Sequence, residues 1–158
     1  MNKIFGKFND KEVILTSLKD EDTSVSIMNW GAAIQNWKVG DTQNPVVLGF
    51  ENFELYQKFS PYFGSVVGRV INRIDSGRFE LNNIEYQLDI NRPPNHLHGG
   101  ESGFGKHIWD FETNENDNSV TYFIKSSDGE GGYPGEVNAK VKYILKGKRL
   151  TIEISATV

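Results

Sequence analysis

The chain has no cysteine among its 158 residues, so neither disulfides nor thiolate metal centres can contribute, a composition that suits a reducing cytoplasm. It also lacks any run of 18 apolar residues, which leaves no candidate for a membrane-spanning helix. Basic residues are in deficit: 17 Lys and Arg stand against 21 Asp and Glu, for a net charge of −4. Scattered as they are, they offer a phosphate backbone no stripe to neutralise, and nucleic acid is excluded as an expected partner. Charge interrupts Met1 to Asp10 too often for a signal-peptide core. The expectation is an unprocessed, cytoplasmic protein without a membrane partner.

Helical periodicity is scarce as well. Two-residue alternation recurs in short runs, the pattern of strands with one buried face. The runs are Val13 to Leu18, Ser24 to Met28, Ala33 to Trp37, Val120 to Ile124 and Val137 to Leu145. They predict an all-β, antiparallel β-sandwich built as one domain over residues 1–158, a length sufficient for a stable core. The single helical candidate is Glu51 to Phe59, where Phe53, Tyr56 and Phe59 recur every three residues; an irregular loop fits equally well. Asn82-Asn83 between Arg78–Leu81 and Ile84–Leu88, and Lys146-Gly147-Lys148 between Tyr143–Leu145 and Leu150–Ile152, predict hairpins, because Asn and Gly accept the positive φ of tight turns. Asn114 to Asn118 is polar enough for an exposed loop between strands. The alternation of Leu150 to Val158 stops in mid-pattern without a terminal charge or proline. Such a strand is an unprotected edge, which predicts a chain that continues, or self-association or pairing through that edge.

Three segments carry candidate chemistry. Pro61 to Ile74 sets Arg69 and Arg73 in an apolar stretch, where a guanidinium must be paired or face a cavity. Arg73 beside Asn72 can donate a planar fork of hydrogen bonds to a polar ligand; the alternative is a structural Arg bonded to loop carbonyls. Asn91 to Gly100 holds His96 and His98, then a glycine pair that lets the backbone approach something closely. In extended chain the two imidazoles share a face, but spacing suggests no third ligand, so no metal is expected. Each can be a proton donor, acceptor or polar anchor, or simply a turn histidine bonded to local backbone. Ser126 to Gly135 is glycine-rich with Asp128, Glu130 and Tyr133. No Lys-Ser or Lys-Thr follows it, which argues against a phosphate cradle, and the ligand alternation of a calcium loop is missing; a structural turn leads. His107, beside Trp109 in an expected strand, reads as structural. Aromatic residues make up 12% of the chain, and Trp30, Trp37 and Trp109 can stack on a sugar but are expected in the core.

Pro61 to Arg73, Asn95 to Gly100, Gly103 to Trp109 and Asp128 to Gly135 together resemble successive motifs of the aldose 1-epimerase family, in that family's order and spacing. The likeness extends from Asn29-Trp30-Gly31-Ala32 and Val46 to Phe50 through the last residue. It implies an incomplete portion, the amino-terminal part, of a galactose mutarotase-like β-supersandwich. It also implies interconversion of the α and β anomers of free aldohexoses such as galactose and glucose, by acid and base ring opening without cofactor or metal. By position Asn72 and Arg73 match the family's sugar-hydroxyl binding pair. His98 matches its first active-site histidine, both substrate-binding and catalytic. His96 falls where the family varies. Gly105 stands where aspartate is usual and Gly131 where glutamate is usual. The principal acid histidine, a sugar-binding aspartate and the base glutamate of the family all fall beyond Val158. The resemblance therefore implies a sugar-binding portion of an epimerase with little activity of its own. The alternatives are a non-catalytic carbohydrate-binding module and a half that works only with a partner chain.

Overall fold

A computed structural model describes residues 1–59 and 62–158, so Pro61, the first residue of the arginine-bearing segment, lies outside the described residues. Strands β1 (Asn2–Phe8), β2 (Lys11–Asp20), β3 (Thr23–Met28) and β4 (Ala33–Lys38) form an antiparallel sheet in that order. A short helix α1 (Phe53–Phe59) follows. Then come four short strands, β5 (Arg73–Ile74), β6 (Arg78–Leu81), β7 (Ile84–Gln87) and β8 (His96–Leu97), paired as β5 with β8 and β6 with β7. A second antiparallel sheet joins β9 (Asp110–Asn114), β10 (Ser119–Ser126), β11 (Val137–Lys146) and β12 (Arg149–Thr157) in the order β12-β11-β10-β9. The expected all-β antiparallel sandwich is therefore what forms, with one α-helix among the described residues.

Alternation along the strands explains the layering. Leu18, Val25 and Ile27 of the first sheet meet Val120, Tyr122, Val141 and Tyr143 of the second in one buried cluster. Tyr122 donates its hydroxyl to the Ile27 carbonyl at 3.1 Å and Tyr143 to the Ala32 carbonyl at 2.7 Å, so both buried phenols are satisfied across the interface. The opposite face of the first sheet, through Val13, Leu15 and Met28, packs on Trp30, Phe53 and Tyr56. Here α1 acts as a cover, and the Asn52 side chain accepts the Leu55 N–H at 3.3 Å at its start. Of the three rings that recur every three residues, Phe53 and Tyr56 are buried whereas Phe59 is exposed.

Hairpin β6–β7 turns on Asn82 and Asn83, at φ of 54° and 60°. In the other hairpin Lys146 pairs with Arg149, so the turn is the two residues Gly147-Lys148, one shorter than the sequence suggests. The loop after β9 is Glu115 to Asn118; Asn114, expected in it, ends the strand. The opening residues, read only as too charged for a leader, make β1. His107 lies outside any strand, immediately after a 3-10 turn at Phe104–Lys106 and before the isolated bridge of Ile108 to Trp30. Among the described residues β12 pairs with β11 alone, and Ile152 and Ile154 on it are exposed. No described helix is long and apolar enough to cross a membrane.

Candidate functional site

The site grows from the ribbon in which Arg73 pairs with Leu97 and Ile74 with His96. Asn72 precedes β5 at φ 63° and His98 follows β8 at φ 54°, both in the left-handed region. Asn and His enter that region more often than most residues. The two left-handed turns close a reciprocal clasp. The His98 N–H donates to the Asn72 carbonyl at 3.1 Å, and the Asn72 N–H donates to His98 Nδ1 at 3.0 Å. Arg73 Nη1 reaches Asn72 Oδ1 at 3.5 Å, a weak contact. The Tyr62 ring tilts against His98 with centroids 5.1 Å apart. The three residues expected at the site, Asn72, Arg73 and His98, are thus brought together.

The chemistry of His98 follows from its bonds. An Nδ1 that accepts a backbone N–H carries no proton, so the neutral ring holds its proton on Nε2. Desolvation, and then the charge of Arg73, holds the His98 pKa below the ordinary 6.5, which favours this neutral form.

His96 has a different fate. It is fully buried; its Nδ1 lies 2.7 Å from the Asp89 carbonyl and its Nε2 lies 2.7 Å from the Tyr133 hydroxyl. A carbonyl only accepts, so Nδ1 holds the proton and the phenol donates to Nε2. Burial, and then the Asp89 carboxylate, pushes the Tyr133 phenol up to about 12. His96 takes the structural alternative, bonded to the Asp89 backbone, but from strand β8 rather than from a turn. The expectation that it shares a face with His98 is corrected: the left-handed turn at His98 breaks strand alternation, and the two rings engage separate partners.

The two arginines also separate. Arg69 takes the structural role. It donates from Nε to Ser126 Oγ at 3.0 Å, from Nη1 to the carbonyls of Pro134 at 3.0 Å and Gly135 at 2.7 Å, and from Nη2 to those of Ser126 at 3.1 Å and Ser127 at 2.7 Å. Its guanidinium closes the glycine-rich loop, inside which Asp128 accepts the Gly135 N–H and Glu130 the Ser126 hydroxyl. That loop is the structural turn the sequence favoured. Arg73, by contrast, is exposed, as are Val70 and Ile71, so the stretch is not the buried segment its apolar composition suggests. Trp30 and Trp109 are buried and Trp37 packs against the core, which leaves them as core rather than stacking platforms.

Gly99 and Gly100, at φ of 85° and 82°, make the expected close approach. A Cβ on Gly99 would run into the Gly68 carbonyl, and one on Gly100 into the Asp89 carboxylate. An apolar hollow of about 370 Å³ adjoins the ribbon, lined by Arg69, Val70, Ile74, Phe79, Tyr133 and their neighbours, but Asn72, Arg73 and His98 are not part of its wall. The three candidates therefore converge on an open surface, not inside that hollow. Sequence reasoning missed Tyr62 as a neighbour of His98, although it lies in the motif that holds Asn72 and Arg73. It also missed Asp89, whose carboxylate accepts the Glu101 N–H at 2.8 Å and whose carbonyl holds His96; no local pattern marks it.

Comparison with known proteins gives a consistent likeness. The family described as aldose 1-epimerase matches residues 15–158. The galactose mutarotase of Mus musculus is 46% identical over 142 residues, covering 88% of this chain and 41% of that protein. The aldose 1-epimerase of Escherichia coli (strain K12) is 33% identical over 149 residues, covering 92% of this chain and 43% of that protein. Among solved structures, a galactose 1-epimerase from Lactobacillus acidophilus NCFM superposes with a TM-score of 0.87 at 26% identity, covering 99% of this chain and 47% of that one. The chain spans less than half the length of these relatives.

Proposed function

The chain belongs to the aldose 1-epimerase family, and from that premise we propose that residues 1–158 are the amino-terminal, sugar-binding part of a mutarotase-like domain that acts on free aldohexoses. The observation that carries the reading is the meeting of Asn72, Arg73 and His98 on the β5–β8 ribbon, with Arg73 exposed and the backbone bond to the His98 ring made at Nδ1 rather than Nε2 among the described residues. A pyranose presents a rim of hydroxyls and a ring oxygen. A guanidinium fork, an amide and a neutral imidazole donor match it by hydrogen bonding.

Mutarotation needs a base to take the anomeric hydroxyl proton and an acid to protonate the ring oxygen, poised on opposite sides of the sugar. In this reading residues 1–158 supply orientation and one imidazole, and the family's principal acid histidine and base glutamate have no counterpart within them. The cysteine-free composition fits action on cytoplasmic hexoses. No cofactor is invoked.

Optical rotation of fresh α-galactose or α-glucose tests this. The 158-residue chain is expected to mutarotate little faster than buffer, and a large acceleration at micromolar protein would overturn the division of labour. Where residual turnover is measured, His98→Asn and Arg73→Ala are each expected to lower it at least about tenfold; unchanged rates in both would put the site elsewhere. A second reading, a non-catalytic carbohydrate-binding module, is favoured by the open position of the three groups. Calorimetric titration with galactose decides whether sugar is bound at all, and silence at millimolar sugar would remove both readings.

A further inference from the structure

We propose that Asn72 is a positioning residue for His98 and acts through its backbone: the left-handed turn at Asn72 presents its N–H to His98 Nδ1 and commits the imidazole to donating from Nε2. The consequence for chemistry rests on the sugar-handling reading above; the clasp itself does not.

Four observations meet here. Asn72 and His98 sit at φ of 63° and 54°, facing each other at the same end of one two-residue ribbon. Their main chains are locked by the His98 N–H to Asn72 carbonyl bond at 3.1 Å. The return bond, from the Asn72 N–H to His98 Nδ1, is 3.0 Å long. Tyr62 packs on the same ring, restricting its swing. A backbone amide gives up no proton near neutral pH, so Nδ1 is an acceptor and nothing else while the clasp holds. The single proton of the neutral ring must then be on Nε2. Facing a sugar, His98 offers a hydrogen-bond donor to a ring or hydroxyl oxygen. It cannot act as the base unless it first loses that proton.

The role is separable from the side chain of Asn72. Glycine reaches the same left-handed region freely, whereas a β-branched residue resists it. Asn72→Gly therefore keeps the clasp and removes the carboxamide, and Asn72→Val keeps a side chain and withdraws the N–H from the ring.

The test uses the unliganded chain labelled with nitrogen-15. Above neutral pH, a scalar coupling across the hydrogen bond between the Asn72 amide nitrogen and His98 Nδ1 is expected, with His98 wholly in the Nε2–H form. Asn72→Gly is expected to retain both signatures. Asn72→Val is expected to lose the coupling and to divide His98 between its two tautomers. Absence of the coupling in the unsubstituted chain, a dominant Nδ1–H form, or an undiminished coupling in Asn72→Val would each overturn the proposal. Should Asn72→Val fail to fold, the unsubstituted chain and Asn72→Gly still decide it. Because no sugar is present, a missing coupling refutes the clasp alone, whereas calorimetric silence toward galactose refutes the sugar reading alone.

Discussion

At the scale of single residues, conformation and charge decide more than residue type. His96 and His98 are two positions apart, yet one is sealed between Asp89 and Tyr133 and the other opens onto the surface. For His98, the depressed pKa has a definite sign in stability. A histidine favoured in its neutral form on folding contributes fully above 6.5, and the contribution is lost as pH falls through the lower, folded value. Arg73→Gln removes the charge that helps depress it. In an NMR titration the His98 midpoint is expected to rise toward 6.5 in that variant; a midpoint that stays or falls would show that Arg73 does not act on the ring. Gly99 offers a second test. A side chain there meets both a left-handed backbone and the Gly68 carbonyl, so Gly99→Ala is expected to cost about 2 kcal/mol or more. A clear drop in the thermal midpoint checks it, and an unchanged midpoint would mean the loop yields without strain.

At the scale of elements, one side chain organises a loop that has no strand or helix of its own to define it beyond a 3-10 turn. The Arg69 guanidinium gathers the carbonyls of Ser126, Ser127, Pro134 and Gly135. Lysine keeps the charge but not the planar fork, so Arg69→Lys leaves several of these acceptors without their partner. The expected destabilisation is about 2 kcal/mol in urea unfolding, with faster amide exchange confined to residues 127–135. Exchange rising evenly over the whole sheet would instead assign Arg69 a global role. The short ribbon β5–β8 is the complementary case. Two residue pairs cannot stand alone, and the clasp at one end holds it in the register that brings Arg73 beside His98.

At the scale of the molecule, two four-stranded sheets share one buried cluster, and β12 forms an edge of the second. The edge at β12 is long and carries exposed Ile152 and Ile154. Unpaired main chain of this kind is a template for another strand, and we propose that the 158-residue chain self-associates through it. Light scattering is expected to show a concentration-dependent mass that Ile154→Lys lowers toward the monomer. A strict monomer at every concentration would remove the proposal.

Strand identity was legible in the sequence wherever one face is buried, because alternation of side chains is a local property of an extended backbone. Val25 and Ile27, or Val141 and Tyr143, announce themselves in this way. The Asn82-Asn83 turn did so for the same local reason. The likeness of the Asn72, Arg73 and His98 motifs to those of a known family was equally present in the sequence. What only the tertiary structure decided is which member of each pair does what: Arg69 or Arg73, His96 or His98. Those choices depend on partners 57 to 66 residues away for Arg69 and on left-handed turns at Asn72 and His98 that break the alternation from which direction would be read. Periodicity determines which residues share a face only while the backbone stays extended; at the site it does not, and the fold alone sets where each side chain points.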